Sequence, residues 1–299
     1  RNTRRQRQMC IRDRGISNYS LSADGKFIYV TTSEWSEEFE NIENKDSEPM
    51  YYENLPFRFD TRGIIYNKRG HVYKVNLGTN KFNKIVDGDK NQIISIGSLV
   101  ESDKGIVFSY EKYNSKGTRL EEKVGSLETK KIKEIHSRGS MGNLFYYEGD
   151  LHAVGLKNRF DRPTNTSILK ISRDGKVSFK DRTFDRNVVK AEVNNSVLYF
   201  LYEDSGKTLL RDGTNNIDLI DAEITVKDFA FNNDKTYVIA NSFSKPDEVY
   251  ELDNGQLEKT SKANEFFNKK VKTWDCEYKR IDTGKSKIDT WGIFVGKDK

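Results

Sequence analysis

Cysteine, proline and histidine are scarce in this chain, and each scarcity excludes something. Its 299 residues hold 2 Cys, 4 Pro and 3 His. Beyond residue 14 the only thiol is Cys276, so no internal disulfide can form there and a disulfide-stapled secreted scaffold is excluded. Asp275 and Glu277 flank that cysteine, the wrong surroundings for a nucleophilic thiolate, so it reads as incidental. Four prolines against 21 glycines point to many tight turns in a compact chain rather than to a stiff linker. Long apolar runs are missing too: stretches such as Val197–Tyr202 fall far short of the roughly 20 residues that span a bilayer, so no membrane partner is expected.

Charge of one sign is missing outside a short head. The formal net charge is +5. Residues 1–14 carry six arginines and one aspartate, which accounts for all of it; the remainder balances. A basic arm normally suggests nucleic acid. Here the string Arg5-Gln6-Arg7-Gln8-Met9-Cys10-Ile11-Arg12-Asp13-Arg14 resembles a translated sequencing adapter, so 1–14 is expected to be a non-native head and no nucleic-acid partner is expected.

What is present is a repeat. Aromatic content is 12%, enough for a packed core. Apolar segments flank a polar turn at Asp24, Asp103, Gly149, Asn195 and Asp234, spaced by 79, 46, 46 and 39 residues. The first interval becomes regular when about 33 residues are treated as an insertion, assigned to 34–62. A second hairpin follows in each unit, with turns near Thr79, Thr129, Asp174, Thr214 and Asn254. Asp174-Gly175 and Asn254-Gly255 are strong hairpin pairs because both positions favour positive φ. Two hairpins per unit of 40–50 residues make a four-stranded antiparallel blade, and inner strands apolar on both faces suit a sheet covered by neighbours on each side. The expected fold is all-β: a β-propeller over 15–268, with about five blades visible. Residues 269–299 do not fit the repeat. They read as two strands, Lys272–Ile281 and Lys287–Val295, joined at Asp282–Lys285, and stop in a polar run without completing a blade.

Catalytic constellations are mostly absent. No G-x-S-x-G elbow occurs, and Gly284-Lys285-Ser286 lacks the first glycine of a phosphate loop. His71, His136 and His152 are far apart, without metal-ligand spacing, so neither a metal nor any other cofactor is expected. With 46 carboxylates, pairing two as acid and base would be arbitrary. The insertion offers more. Trp35, Phe39, Tyr51 and Tyr52 interleave with acids including Glu37 and Glu38, a composition suited to a cationic group such as a peptide N-terminus. The alternative is a solvated acidic loop whose aromatics pack back onto the blade.

Leu55-Pro56-Phe57-Arg58-Phe59-Asp60-Thr61-Arg62-Gly63, followed by Arg69–Val75, resembles the propeller of acylaminoacyl-peptidase-type members of the prolyl oligopeptidase family. The turn Ser22-Ala23-Asp24-Gly25-Lys26 is similar to that family's blade motif, with Ala23 where Pro is usual. Ala240–Tyr250 followed by Asn264 resembles its last blade, and Asp282–Ile293 resembles the opening strands of an α/β-hydrolase. The resemblance implies a cytoplasmic serine peptidase acting on short or N-acylated peptides, with 269–299 as the start of its hydrolase domain. It places the Ser-Asp-His triad in that domain, so no catalytic residue is assigned to this chain. The implied partners are a peptide substrate and the chain's own C-terminal hydrolase domain, with bare edge strands that would let copies pair. Trp35, Glu37, Glu38 and Arg58 are the expected substrate-side or domain-interface contacts; Arg58 equally suits an ion pair with Asp60. The rival reading is a stand-alone propeller that binds proteins or ligands.

Overall fold

A computed structural model describes residues 15–40, 49, 51–60, 62–129, 131–158, 164–220, 223–232, 234–274 and 276–293. The arginine-rich head therefore lies outside the described residues. Twenty-four strands occur with three short helices among these residues, and five of the sheets are four-stranded antiparallel meanders. No helix among them is long and apolar enough to cross a membrane.

The chain divides into two compact units, 1–181 and 182–299. The first unit contains three meanders. One is built from β1 (Ile16–Leu21), β2 (Phe27–Trp35), β5 (Lys68–Asn76) and β6 (Phe82–Val86). Between β2 and β5 lie α1 (Glu37–Glu40) and a ribbon of β3 (Arg58–Phe59) with β4 (Gly63–Ile64); α2 (Gly88–Asn91) follows β6. The next meander comprises β7 (Ser95–Ser102), β8 (Gly105–Tyr113), β9 (Leu120–Glu128) and β10 (Lys131–His136). The third comprises β11 (Ser140–Tyr147), β12 (Asp150–Leu156), β13 (Ser167–Ile171) and β14 (Val177–Phe179).

Strand β8 shows why the inner strands read as continuous apolar runs. Ile106, Phe108 and Tyr110 join a core with Tyr29, Val72 and Val86 of the first meander. Val107, from the opposite face, joins Met141, Leu144 and Leu151 of the third. Both faces are covered by neighbouring sheets, so period-two alternation of apolar and polar residues disappears.

The second unit holds two more meanders. The first is β15 (Asn187–Asn194), β16 (Val197–Asp204), β17 (Lys207–Asp212) and β18 (Ile217–Asp218). The second is β19 (Thr225–Asn232), β20 (Lys235–Ser242), β21 (Lys245–Asp253) and β22 (Gln256–Lys259). Leu201 and Leu210 of one pack with Val226, Phe229 and Val238 of the other. After α3 (Glu265–Lys270), β23 (Cys276–Asp282) and β24 (Lys287–Ile293) form a separate two-stranded sheet. The described part of the predicted strand pair thus stands outside the meanders. It is seated on the β16–β17 turn: a Cβ at Gly206 would meet the Trp291 ring at 2.5 Å.

Two sequence expectations change in detail. The insertion occupies 36–67, not 34–62, because Glu34 and Trp35 still pair in β2 with Arg69 and Lys68 of β5. The Asn254-Gly255 turn has positive φ at both residues, 48° and 80°, but at Asp174-Gly175 only Gly175 does, at 78°. There the Ser172 hydroxyl donates to Asp174 and the Gly175 N–H donates to the Ser172 carbonyl, closing a longer turn. Ser22, Asp24 and Gly25 repeat the arrangement, so Ser-x-Asp-Gly-Lys is one local solution used twice.

Glu248 of β21 ties the last meander to the segment that leads into α3. Its buried carboxylate takes Lys259 at 2.7 Å, the Ser261 hydroxyl, and the N–H groups of Ala263 and Asn264, both at 3.1 Å. Those donors, Lys259 and Ser261 foremost, hold its pKa down at about 2. Glu248→Gln removes the charge and replaces one acceptor oxygen by a donor. The expected result is faster proteolytic cleavage within 260–275 than in the wild type; equal cleavage rates would show that the carboxylate does not anchor this segment.

Candidate functional site

The site-bearing region is the side of the first unit where β2, the insertion and β5 meet. Antiparallel pairing fixes its register: Trp35 opposes Lys68, Glu34 opposes Arg69, and Thr32 opposes His71. Trp35 lies 4.7 Å from Phe39 of α1, ring centre to ring centre, and the Lys68 ammonium lies 5.4 Å from the Trp35 ring. One indole therefore joins the acidic helix to a cation on the neighbouring strand.

Beside them opens a cavity of about 280 Å³ lined by Ser33, Arg62, Ile65, Lys68 and Ile94. Ile65 and Ile94 are buried and pack with Leu120, which gives the cavity an apolar floor. Arg62, carried just before β4, donates to Glu111 at 2.9 Å, and Glu111 also accepts from the Ser95 hydroxyl. Lys68 is held where the chain turns into β5: its N–H donates to the Ile65 carbonyl at 3.0 Å, and Arg69 donates to the carbonyls of Tyr66 and Lys68 at 2.7 and 2.8 Å.

Below this surface lies a network that sequence reasoning missed. His71, 1% exposed, faces three carboxylates: Asp87 is 3.7 Å from Nδ1, while Asp89 and Glu34 are 3.9 and 4.0 Å from Nε2. Burial, reinforced by the charge of Lys84, pushes the imidazole pKa below its ordinary value despite those acids. Burial opposes ionisation of Glu34, but hydrogen bonds from Thr32 and Tyr73 hold its pKa below the ordinary value. Ligand atoms of His71, Asp87 and Asp89 all fall within 4.8 Å of one another, the spacing of a cation site. The donor set does not fit one. The Gly88 N–H donates to His71 Nδ1 at 3.1 Å, so the neutral ring carries its proton on Nε2 and has no lone pair to offer an ion. Asp87 is likewise engaged as the N-cap of α2, accepting the Asp89 N–H at 3.1 Å. The cluster locks α2 onto β5.

The other two histidines sit on different strands. His136 ends β10 near the Gly175 carbonyl, and buried His152 of β12 stacks on Phe145 at 5.6 Å. Glu37 and Glu38 are exposed on α1, and the Glu37 N–H reaches Asp89 at 3.4 Å. Arg58 is exposed on β3, and among the described residues no ion pair links it to Asp60. The region thus brings Trp35, Glu37 and Glu38 to one place, while Arg62 and Lys68, rather than Arg58, supply the charge of the cavity wall.

A β-propeller is the class these blades define, and comparison with solved structures gives the same answer. The chain is similar to an acylaminoacyl peptidase from Pyrococcus horikoshii, with a TM-score of 0.71 and 15% identity over 95% of this chain and 44% of that one. A puromycin-hydrolysing peptidase from Mycobacterium tuberculosis matches at TM-score 0.55 and 12% identity, over 93% of this chain and 43% of that one. A prolyl endopeptidase matches at 0.52 and 10%, over 92% and 39%. The chain therefore spans less than half the length of these peptidases, and what is shared is the fold of their propeller portion. No family model matches the sequence, and no curated protein matches it.

Proposed function

We propose that this chain is the substrate-access propeller of a cytoplasmic serine peptidase of the prolyl oligopeptidase type, acting on short or N-acylated peptides. On this reading, bond cleavage belongs to an α/β-hydrolase domain that continues from the β23–β24 hairpin. The propeller limits entry to short or unfolded chains and lends part of the binding wall. The observation that carries the reading is the match of nearly the whole chain to one portion of an acylaminoacyl peptidase. The separate β23–β24 sheet adds to it, since it leaves the blade pattern at the point where such enzymes enter their second domain. Trp35, Glu37, Glu38 and Arg58 are assigned to peptide or interdomain contact.

The test is direct. The purified 299-residue chain should bind short acyl-peptides yet leave acyl-peptide anilides uncut, because it has no nucleophile elbow. Measurable hydrolysis by this chain would refute the division of labour. A chain that binds no peptide would favour a stand-alone interaction module instead.

A further inference from the structure

The cavity beside Trp35 is chemically one-sided. Among the described residues its lining comprises two cationic side chains, Arg62 and Lys68, one hydroxyl and two isoleucines, and no carboxylate. Arg62 is partly neutralised by Glu111, at 2.9 Å, and remains 41% exposed. Lys68 is different. It is half-buried, its ammonium rests over Trp35, and among the described residues no carboxylate pairs with it. An ammonium drawn partly out of water without a counter-ion is costly, and an anion placed beside it recovers that cost.

The residue before Lys68 is also short of an acceptor. Asn67 is more than nine-tenths buried, and its Nδ2 has no hydrogen-bond partner among the described residues. Asn67 and Lys68, at the entry to β5, thus carry donor capacity that the described residues leave unmet, where native structures normally pair such groups; the next residue, Arg69, has its Nε 3.6 Å from Asp89.

We propose that this cavity is a carboxylate-binding subsite that takes the terminal or side-chain carboxylate of a peptide. The inference rests on the peptide-handling reading above and adds the substrate chemistry to it. Size agrees: about 280 Å³ is at the lower limit of the roughly 300–1,000 Å³ typical of small-molecule sites, room for an acidic side chain or a terminal residue. The carboxylate meets Lys68 and the free edge of the Arg62 guanidinium, its aliphatic stem lies on Ile65 and Ile94, and the remaining peptide runs out past Trp35. Charge-assisted hydrogen bonds of this kind discriminate strongly between an acid and its neutral amide.

The test uses the full chain and four fluorescein-labelled acyl-hexapeptides in polarisation titrations. One ends in a free carboxylate, one is its amide, one is an amide carrying an internal glutamate, and one is the matching internal-glutamine amide. The expected result is at least tenfold tighter binding of either acid than of its neutral partner, with the preference shrinking at high salt. The terminal and glutamate arms identify which carboxylate is taken. Lys68→Gln and Arg62→Gln should each reduce the preference at least threefold with little change for the neutral peptides, and Lys68→Arg should restore it. Equal binding of acids and neutral peptides by the wild type overturns the subsite while leaving the peptide-handling reading intact. Failure of every peptide to bind overturns both. Should Lys68→Gln unfold the chain, Arg62→Gln decides, since Arg62 is the more exposed of the two.

Discussion

Gly155→Ala should cost the first unit about 3 kcal/mol or more, whereas Gly142→Ala, one strand away in the same meander, should change stability by no more than about 0.5 kcal/mol. The two glycines occupy adjacent strands, Gly142 paired with Val154 and Gly155 with Met141. Neither needs a positive φ, so backbone conformation does not separate them. Space does. A Cβ at Gly155 would stand 1.9 Å from the Ser140 carbonyl oxygen and 2.9 Å from its carbon. Both atoms are backbone within the β11–β12 ladder, so no side chain can swing aside and the strands themselves must part. At Gly142 the nearest atom is the Val154 carbonyl oxygen at 3.8 Å, an ordinary contact, and alanine also loses less conformational freedom on folding than glycine. Chemical denaturation of the two variants, followed by circular dichroism, gives the comparison. A Gly155→Ala midpoint indistinguishable from that of Gly142→Ala would mean that β11 and β12 are not packed this closely.

That pair shows where sequence reading stops. Both glycines sit in segments legible as strands, and nothing in the string Met141-Gly142-Asn143 or Val154-Gly155-Leu156 says which one faces a carbonyl. Meanders were legible because their determinants are local: turn residues such as Asn254-Gly255 and apolar strands on either side act over a few positions. The edges of the insertion were less so. Glu34 and Trp35 look like the start of an acidic loop, but their partners Arg69 and Lys68 lie more than 30 residues on, and cross-strand pairing keeps them in β2. The His71 network needs residues from two strands and a helix cap. Its available signals were the Asp87-Gly88-Asp89 capping sequence and the alternation that sets His71 two places from Arg69. The cavity was the least legible feature. Arg62 and Lys68 are two of 51 basic residues, and only the turn between β4 and β5 brings them to one wall.

Acidification should destabilise the chain in a window that begins well above the carboxylate range. All three histidines have pKa values below the ordinary 6.5, in each case chiefly because burial disfavours the charged ring. Unfolding exposes them, so below about pH 6.5 the unfolded chain binds protons that the folded chain refuses. Stability is therefore greatest above that value and falls as pH drops from 6.5 toward the folded-state values. Each histidine that differs fully between the two states contributes up to about 1.4 kcal/mol per pH unit. Geometry sharpens the expectation at His71. A second ring proton would have to enter at Nδ1, where the Gly88 N–H already points, so protonation turns an attraction into a clash at the base of α2. Asp87, Asp89 and Glu34 favour the imidazolium, while Lys84 and burial oppose it, and the opposing pair prevails. Denaturation midpoints measured from pH 8 to pH 5 should fall, with most of the loss below pH 6.5. His71→Gln, which can still accept the Gly88 N–H through its amide oxygen, should flatten part of that slope. A midpoint constant down to pH 5 would show that the folded chain accommodates charged imidazoles. A slope unchanged by His71→Gln would assign the proton uptake to His136 and His152 alone.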